Sequence, residues 1–298
     1  MYTNPYSKYA EGKGRWLKAN FHTHAGTGKG TCGHYEIDEV ISAYRDCGCE
    51  VLSISNHELY SDVSEYQEKY DILLLNAFEY STDPHMLCID VKSHIKGSHQ
   101  EAIKTTLEQG GFVILCHPNW IRKEYWPWKD IDALTGYTGI EIFNGVIPRL
   151  SGSGLATDTW DYLLSQGKLV WGFGNDDFHR WHDLSNVWTS IFAEKNRMDV
   201  RQSIDAGCFY VSTGLILNEF TFENGAITVA ASAKGSYVKD YKYVFIGKGG
   251  EILSEQFGEK VQYQLKGNEL YVRVQVINEH GAMLWTQPVY RTESFSRP

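Results

Sequence analysis

Two histidines one residue apart, His22 and His24 in the run Lys-Ala-Asn-Phe-His-Thr-His, close the first strand-like stretch of the chain. On an extended backbone, residues two apart point to the same face, so both imidazoles aim at one point. That is metal-ligand geometry. Further residues of ligand type recur beside later strand-like runs: His57 after 51–54, Glu79 after 71–78, His85 before 86–91 and His117 after 112–116. Asp177 and His179, after 169–173, repeat the two-residue spacing of the opening pair. Together these exceed what one four-coordinate ion takes, so two or three ions are implied, with Glu79 the best bridge between them.

The elements that must position these groups follow from hydrophobic spacing. Ile37, Val40, Ile41 and Tyr44 recur at helical intervals within 36–47, and Gly48 stops the pattern. Helices are likewise expected over 99–109, ending at Gly110-Gly111, and near 157–165 and 198–206. Strands alternating with helices predict a mostly parallel sheet, and about seven such repeats in about 200 residues predict a closed or nearly closed barrel. In such a barrel the carboxyl ends of the strands form one rim, where all of these side chains would meet. Beyond 215 the helical period disappears. Short alternating runs at 219–222, 226–231, 241–246, 262–265, 270–277 and 283–285 are separated by turns such as Asn224-Gly225 and Gly267-Asn268. The expected organisation is therefore a barrel over 1–215 and a small all-β domain with a C-terminal tail over 216–298.

The ordered set of H-x-H, a histidine after the second strand, Glu then His, His117-Pro118 and Asp-x-His resembles the PHP family, the polymerase and histidinol phosphatase domain, over residues 19–213. The resemblance implies a distorted (βα)7 TIM-like barrel, up to three divalent ions and hydrolysis of a phosphoester. It implies one ion on His22, His24, Glu79 and Asp177, a second on Glu79, His85 and His117, and a third on His57 and His179. The chain departs from the family pattern in two places. Asn56 stands where an aspartate usually orients the following histidine. The glycine-rich loop after H-x-H is long and offers His34, with Cys32 as its rival, to complete the third site. The run Thr286-Gln287-Pro288-Val289-Tyr290 also resembles the closing strand of a β domain appended to some members.

The function expected from these residues is a metal-dependent phosphoesterase acting on a small phosphomonoester or phosphodiester by attack of metal-bound hydroxide. Glu79, Asp177, His179 and Arg180 are the expected catalytic residues, with His22, His24, His34, His57, His85 and His117 joining Glu79, Asp177 and His179 as metal ligands. The cofactors expected are two or three divalent ions, Zn, Mn or Fe. Arg122, Arg149 and Arg180 follow His117, Asn144 and His179 and suit an anionic substrate. Two alternatives share the same residues: an amidohydrolase-like enzyme cleaving C–N or C–O bonds, and a non-catalytic metal-binding barrel whose β domain binds a partner.

Composition narrows the classes further. The 298 residues carry 28 Lys plus Arg against 37 Asp plus Glu, a net charge of -9, which argues against an extended nucleic-acid surface. The first sixteen residues contain no apolar run, so neither a secretory leader nor a membrane span is expected there, and a cytoplasmic location is. Six cysteines show no framework spacing and read as free thiols. No G-x-S-x-G elbow is present to suggest a serine nucleophile.

Overall fold

The computed structural model describes residues 1–12, 14–123, 125–233 and 241–298. Short runs rich in Val, Ile, Leu and aromatic residues build most of it. In chain order the first part contains β1 (Tyr2–Thr3), α1 (Ser7–Ala10), β2 (Arg15–Asn20), α2 (Ile37–Asp46), β3 (Val51–Ile54), β4 (Leu73–Tyr80) and β5 (Met86–Ile89). It continues with α3 (His99–Glu108), β6 (Phe112–Leu115), α4 (Trp128–Ala133), β7 (Gly139–Asn144), α5 (Thr157–Ser165), β8 (Trp171–Asn175), β9 (Trp188–Ala193), α6 (Arg197–Ala206) and β10 (Phe209–Ser212). The remainder is β11 (Leu215–Glu223), β12 (Ala226–Ala233), β13 (Tyr241–Ile246), β14 (Ile252–Phe257), β15 (Lys260–Gln264), β16 (Tyr271–Asn278), β17 (Met283–Thr286) and β18 (Val289–Arg291).

Local chemistry explains the helix ends. Ser98 and Glu101 form a reciprocal capping box that opens α3. Asn196 accepts from the amide of Asp199 to open α6, and Gly207, at φ 74°, closes it in the left-handed region.

The expected distorted (βα)7 TIM-like barrel is overturned: the molecule is mostly β, built on a fifteen-stranded mixed sheet and a separate three-stranded one. The main hydrogen-bonded path runs β1-β18-β16-β17-β10-β9-β2-β3-β4-β5-β6-β7-β8, with β13 and β14 attached through β16. Among the described strands, parallel pairing joins β2-β3-β4 and β6-β7-β8. Strand β5 runs antiparallel to both of its neighbours, and β9 and β10 are antiparallel as well. The reason lies in a loop length. Only residues 81–85 separate β4 from β5, whereas a parallel return needs a crossover of a dozen or more.

Past β8 no strand follows in the hydrogen-bonded order, and side chains meet its backbone instead. The Thr189 hydroxyl accepts from Gly174 N at 3.1 Å and donates to Gly174 O at 3.1 Å. Gln287 does the same at Gly172, with Oε1 accepting at 3.0 Å and Nε2 donating at 2.8 Å. The strands expected to form a separate domain after 215 are divided between the two sheets: β11, β12 and β15 make the three-stranded sheet, while β17 pairs with β10. One core packs Tyr271 and Trp285 with Val113, Ile142 and Trp160, and another packs Tyr6, Phe192 and Tyr210 with Val274 and Leu284, so hydrophobic contacts cross residue 215 in both directions.

Candidate metal centre

Two short backbone pairings beyond the strand ends bring the ligand-type residues together. Thr23 bridges Phe178 in parallel register, with His24 N donating to Phe178 O at 2.9 Å and Phe178 N to His22 O at 3.3 Å. The segment His22-Thr23-His24 thus lies beside Asp177-Phe178-His179. Thr23 and Phe178 are buried, and Phe178 packs edge-on against Tyr44. Period-two alternation then turns the flanking His22, His24, Asp177 and His179 to the other side. A second bridge joins His57 to Glu79, with Glu79 N donating to Asn56 O at 3.1 Å. His85 precedes its strand, yet reaches the same rim because β5 runs opposite to β4.

The result is one buried cluster. His22 Nε2 stands 3.4 Å from Glu79 Oε1 and 3.3 Å from Asp177 Oδ1, and His24 Nε2 stands 3.2 Å from Asp177 Oδ1. His117 Nε2 lies 3.4 Å and His85 Nδ1 2.9 Å from Glu79 Oε1, while His57 Nδ1 lies 2.5 Å from Glu79 Oε2. Ligand atoms lying within 4.8 Å of one another form four overlapping groups that can hold a metal ion. These are His22, His24 and Asp177; His22, Glu79, Cys116 and His117; His57, Glu79 and His85; and His24, Cys32, His57 and His179. His22 Nε2, His24 Nε2, Glu79 Oε2 and Asp177 Oδ1 are fully buried and make no hydrogen bond. Buried polar atoms are almost always paired, so four orphans facing one another suit a cation.

The two buried carboxylates agree with that fit. Burial raises the Glu79 and Asp177 carboxyls, but His22 and the other surrounding imidazoles outweigh it and hold both well below the usual carboxylate range. Burial disfavours charge on His22, while Asp177, Glu141 and Glu79 pull its pKa well above the ordinary value. For the Cys32 thiol, burial is overcome by hydrogen bonds from His179, His24 and His57, and its pKa falls to about 3. The backbone is strained at two of these positions, with Asp177 at φ 55° and His117 at φ 31°.

Several supporting residues escape sequence reading. Glu141, fully buried on β7, accepts from His22 Nδ1 at 2.8 Å, His117 N at 2.8 Å, Asn144 Nδ2 at 2.9 Å and Asn175 Nδ2 at 3.0 Å. Its signal was present: it is the only acid in the apolar run 139–143. The Tyr125 hydroxyl lies 2.8 Å from His117 Nδ1 and accepts from His85 N at 3.1 Å. Asn56, where a carboxylate was expected to orient His57, instead clamps Ala25, accepting from its N at 3.0 Å and donating to its O at 2.8 Å. The Nδ1 of His57 turns to Ser81 Oγ at 2.6 Å as well as to Glu79.

Of the nine expected ligands, eight join these groups and His34 does not. It is exposed on the rim of the cleft, and Cys32 lies 3.1 Å from His24 Nδ1 in its stead. The cleft over the cluster has a volume of about 420 Å³. Trp120, Val146, Ile147 and Leu150 give it an apolar wall, and Arg122, Arg149 and Arg180 reach it. Asp183 holds Arg149 through Nε at 3.1 Å and Nη2 at 2.9 Å, and accepts from the amides of His179 and Arg180 at 3.0 and 2.9 Å. Arg122 pairs with Asp83 at 2.8 Å, whereas Arg180 has no carboxylate partner among the described residues. A larger groove of about 670 Å³ lies between α5 and β13, far in character from this site, for it contains no histidine.

No protein-family model matches the chain, and a search of curated proteins finds no match. Among the described residues no helix is long and apolar enough to cross a membrane.

Proposed function

We propose that this chain is a metal-dependent phosphoesterase of the PHP kind that hydrolyses a small phosphomonoester or phosphodiester. The observation that carries the reading is the set of four buried, unpartnered ligand atoms on His22, His24, Glu79 and Asp177. The histidine and carboxylate donors suit two or three ions of Zn, Mn or Fe. Divalent ions held there supply Lewis-acid polarisation of a phosphoryl oxygen and lower the pKa of a water.

The chain's own residues do the rest. Glu79 and Asp177, kept ionised, supply the negative charge that a cation cluster needs, and Glu79 turns Oε1 to His22, His85 and His117 and Oε2 to His24 and His57. Glu141 fixes His22 with Nδ1 donating, which leaves Nε2 as the ligand atom. Arg180 receives a phosphoryl oxygen at the mouth of the cleft, where a guanidinium offsets charge gathering on the equatorial oxygens. Trp120, Val146, Ile147 and Leu150 receive an apolar substituent and keep water from it. A cleft of about 420 Å³ suits a small molecule rather than a polymer.

The test is elemental analysis of the purified protein together with turnover of a panel of phosphomonoesters, phosphodiesters, amides and carboxylic esters. Bound divalent metal and phosphoester turnover that is lost on chelation and restored by metal are expected. Phosphoester turnover that survives chelation, or a metal-replete protein acting only on amides, overturns the proposal.

A further inference from the structure

The loop between His24 and α2 is held in place by more than its glycines. Gly26 N donates to Tyr35 O at 2.7 Å, and the Asn56 amide grips Ala25 on both sides. A Cβ at Gly33 would stand 2.6 Å from Ala25 Cα, so only glycine permits the loop to fold back this closely. The fold-back carries Cys32 over the face of the cluster, with Sγ 3.1 Å from His24 Nδ1. Two further imidazoles complete the surroundings. His57 spends Nδ1 on the Ser81 hydroxyl at 2.6 Å, and His179 spends Nδ1 on the carbonyl of Asp177 at 2.8 Å. In each ring Nε2 is thereby left as the ligand nitrogen. The donor atoms of Cys32, His57 and His179, together with His24, lie within 4.8 Å of one another.

We infer that Cys32, not His34, completes the third metal position, with His57 and His179, and that its thiolate selects a thiophilic ion such as Zn2+ there. The inference rests on the metal-centre reading above and adds the identity of one ligand and the chemical class of its ion. Imidazole and carboxylate ligands suit Mn and Fe as well as Zn, and sulfur shifts the preference further toward Zn and its spectroscopic substitute Co2+. Because His57 and His179 line the cleft, an ion held by them and Cys32 would be reachable from it. His24 presents Nε2 to Asp177 and Nδ1 to Cys32, so it stands between this position and the inner pair.

Cobalt loading of the apoprotein tests the ligand directly. The wild-type protein is expected to develop thiolate-to-cobalt charge-transfer absorption in the near ultraviolet. Cys32→Ser is expected to lose both that absorption and one equivalent of bound metal, while His34→Ala keeps both. In parallel, Zn2+ is expected to slow alkylation of Cys32 by iodoacetamide, as mapped by mass spectrometry, in a measurement that needs no variant. Absence of the absorption in the wild type, its persistence in Cys32→Ser through Cys116, or loss of an ion in His34→Ala overturns the inference. None of these readouts depends on hydrolysis. A protein that shows the absorption but cleaves no phosphoester would therefore refute the proposed activity and leave the ligand assignment standing.

Discussion

Glu141 Oε1 lies 2.8 Å from His22 Nδ1, although 119 residues separate them in the chain. The same carboxylate accepts from the backbone of His117, so one buried acid on β7 holds candidate ligands delivered by two different strands. Outer partners of this kind set the tautomer and orientation of a ligating imidazole, and their removal typically costs 10–100-fold in metal affinity, as an order-of-magnitude guide. Glu141→Gln keeps the shape and loses the charge. We expect it to weaken metal binding by roughly 10–100-fold in an equilibrium titration. Affinity equal to wild type would show that Glu141 does not tune the site.

Arg180 differs from its two neighbours. Arg149 is committed to Asp183 and Arg122 to Asp83, so of these three cleft arginines Arg180 is the one without a carboxylate partner among the described residues, and the proposed phosphoesterase would use it to receive the anion. Removing one donor that stabilises transition-state charge commonly costs about 10²–10³-fold. Arg180→Ala should therefore lower kcat/KM for a phosphoester by about 10²-fold at unchanged metal content, with Arg180→Lys recovering part of the loss. Equal kcat/KM for wild type and Arg180→Ala would remove Arg180 from the anion site.

The backbone edge of β8 offers a test of the fold itself. Thr189→Val leaves Gly174 N and O without the hydroxyl that serves both, and Gln287→Leu does the same at Gly172. A buried backbone group left unpaired costs about 1–3 kcal/mol, so each variant should lose stability of that order in urea denaturation. Unchanged midpoints would mean that water or a strand satisfies this edge.

The places where sequence reasoning stopped have physical causes. Helix α5 and strands β3 and β13 were legible to the residue, since apolar spacing and turn residues are local properties. Strand β9 went unseen because no helical crossover announces it; its antiparallel pairing with β2 and β10 is a long-range fact. The missing crossover before β5 was also in the sequence. A histidine that precedes its strand, where the others follow theirs, is what an antiparallel strand at a common rim requires.

The sequence by itself pointed to eight of the residues that the structure gathers into candidate metal-holding groups, because a period of two and an abrupt end to an apolar run are written in neighbouring residues. Only the tertiary structure decided how the strands join and which groups meet. The mixed sheet, the seating of Glu141 under His22, the fold-back at Gly33 that brings Cys32 to His24, and the outward place of His34 each depend on segments far apart in the chain. Hydrogen bonds and close contacts of that range are fixed by packing the whole core, and the same opening pair, His22 and His24, acquires its partners only there.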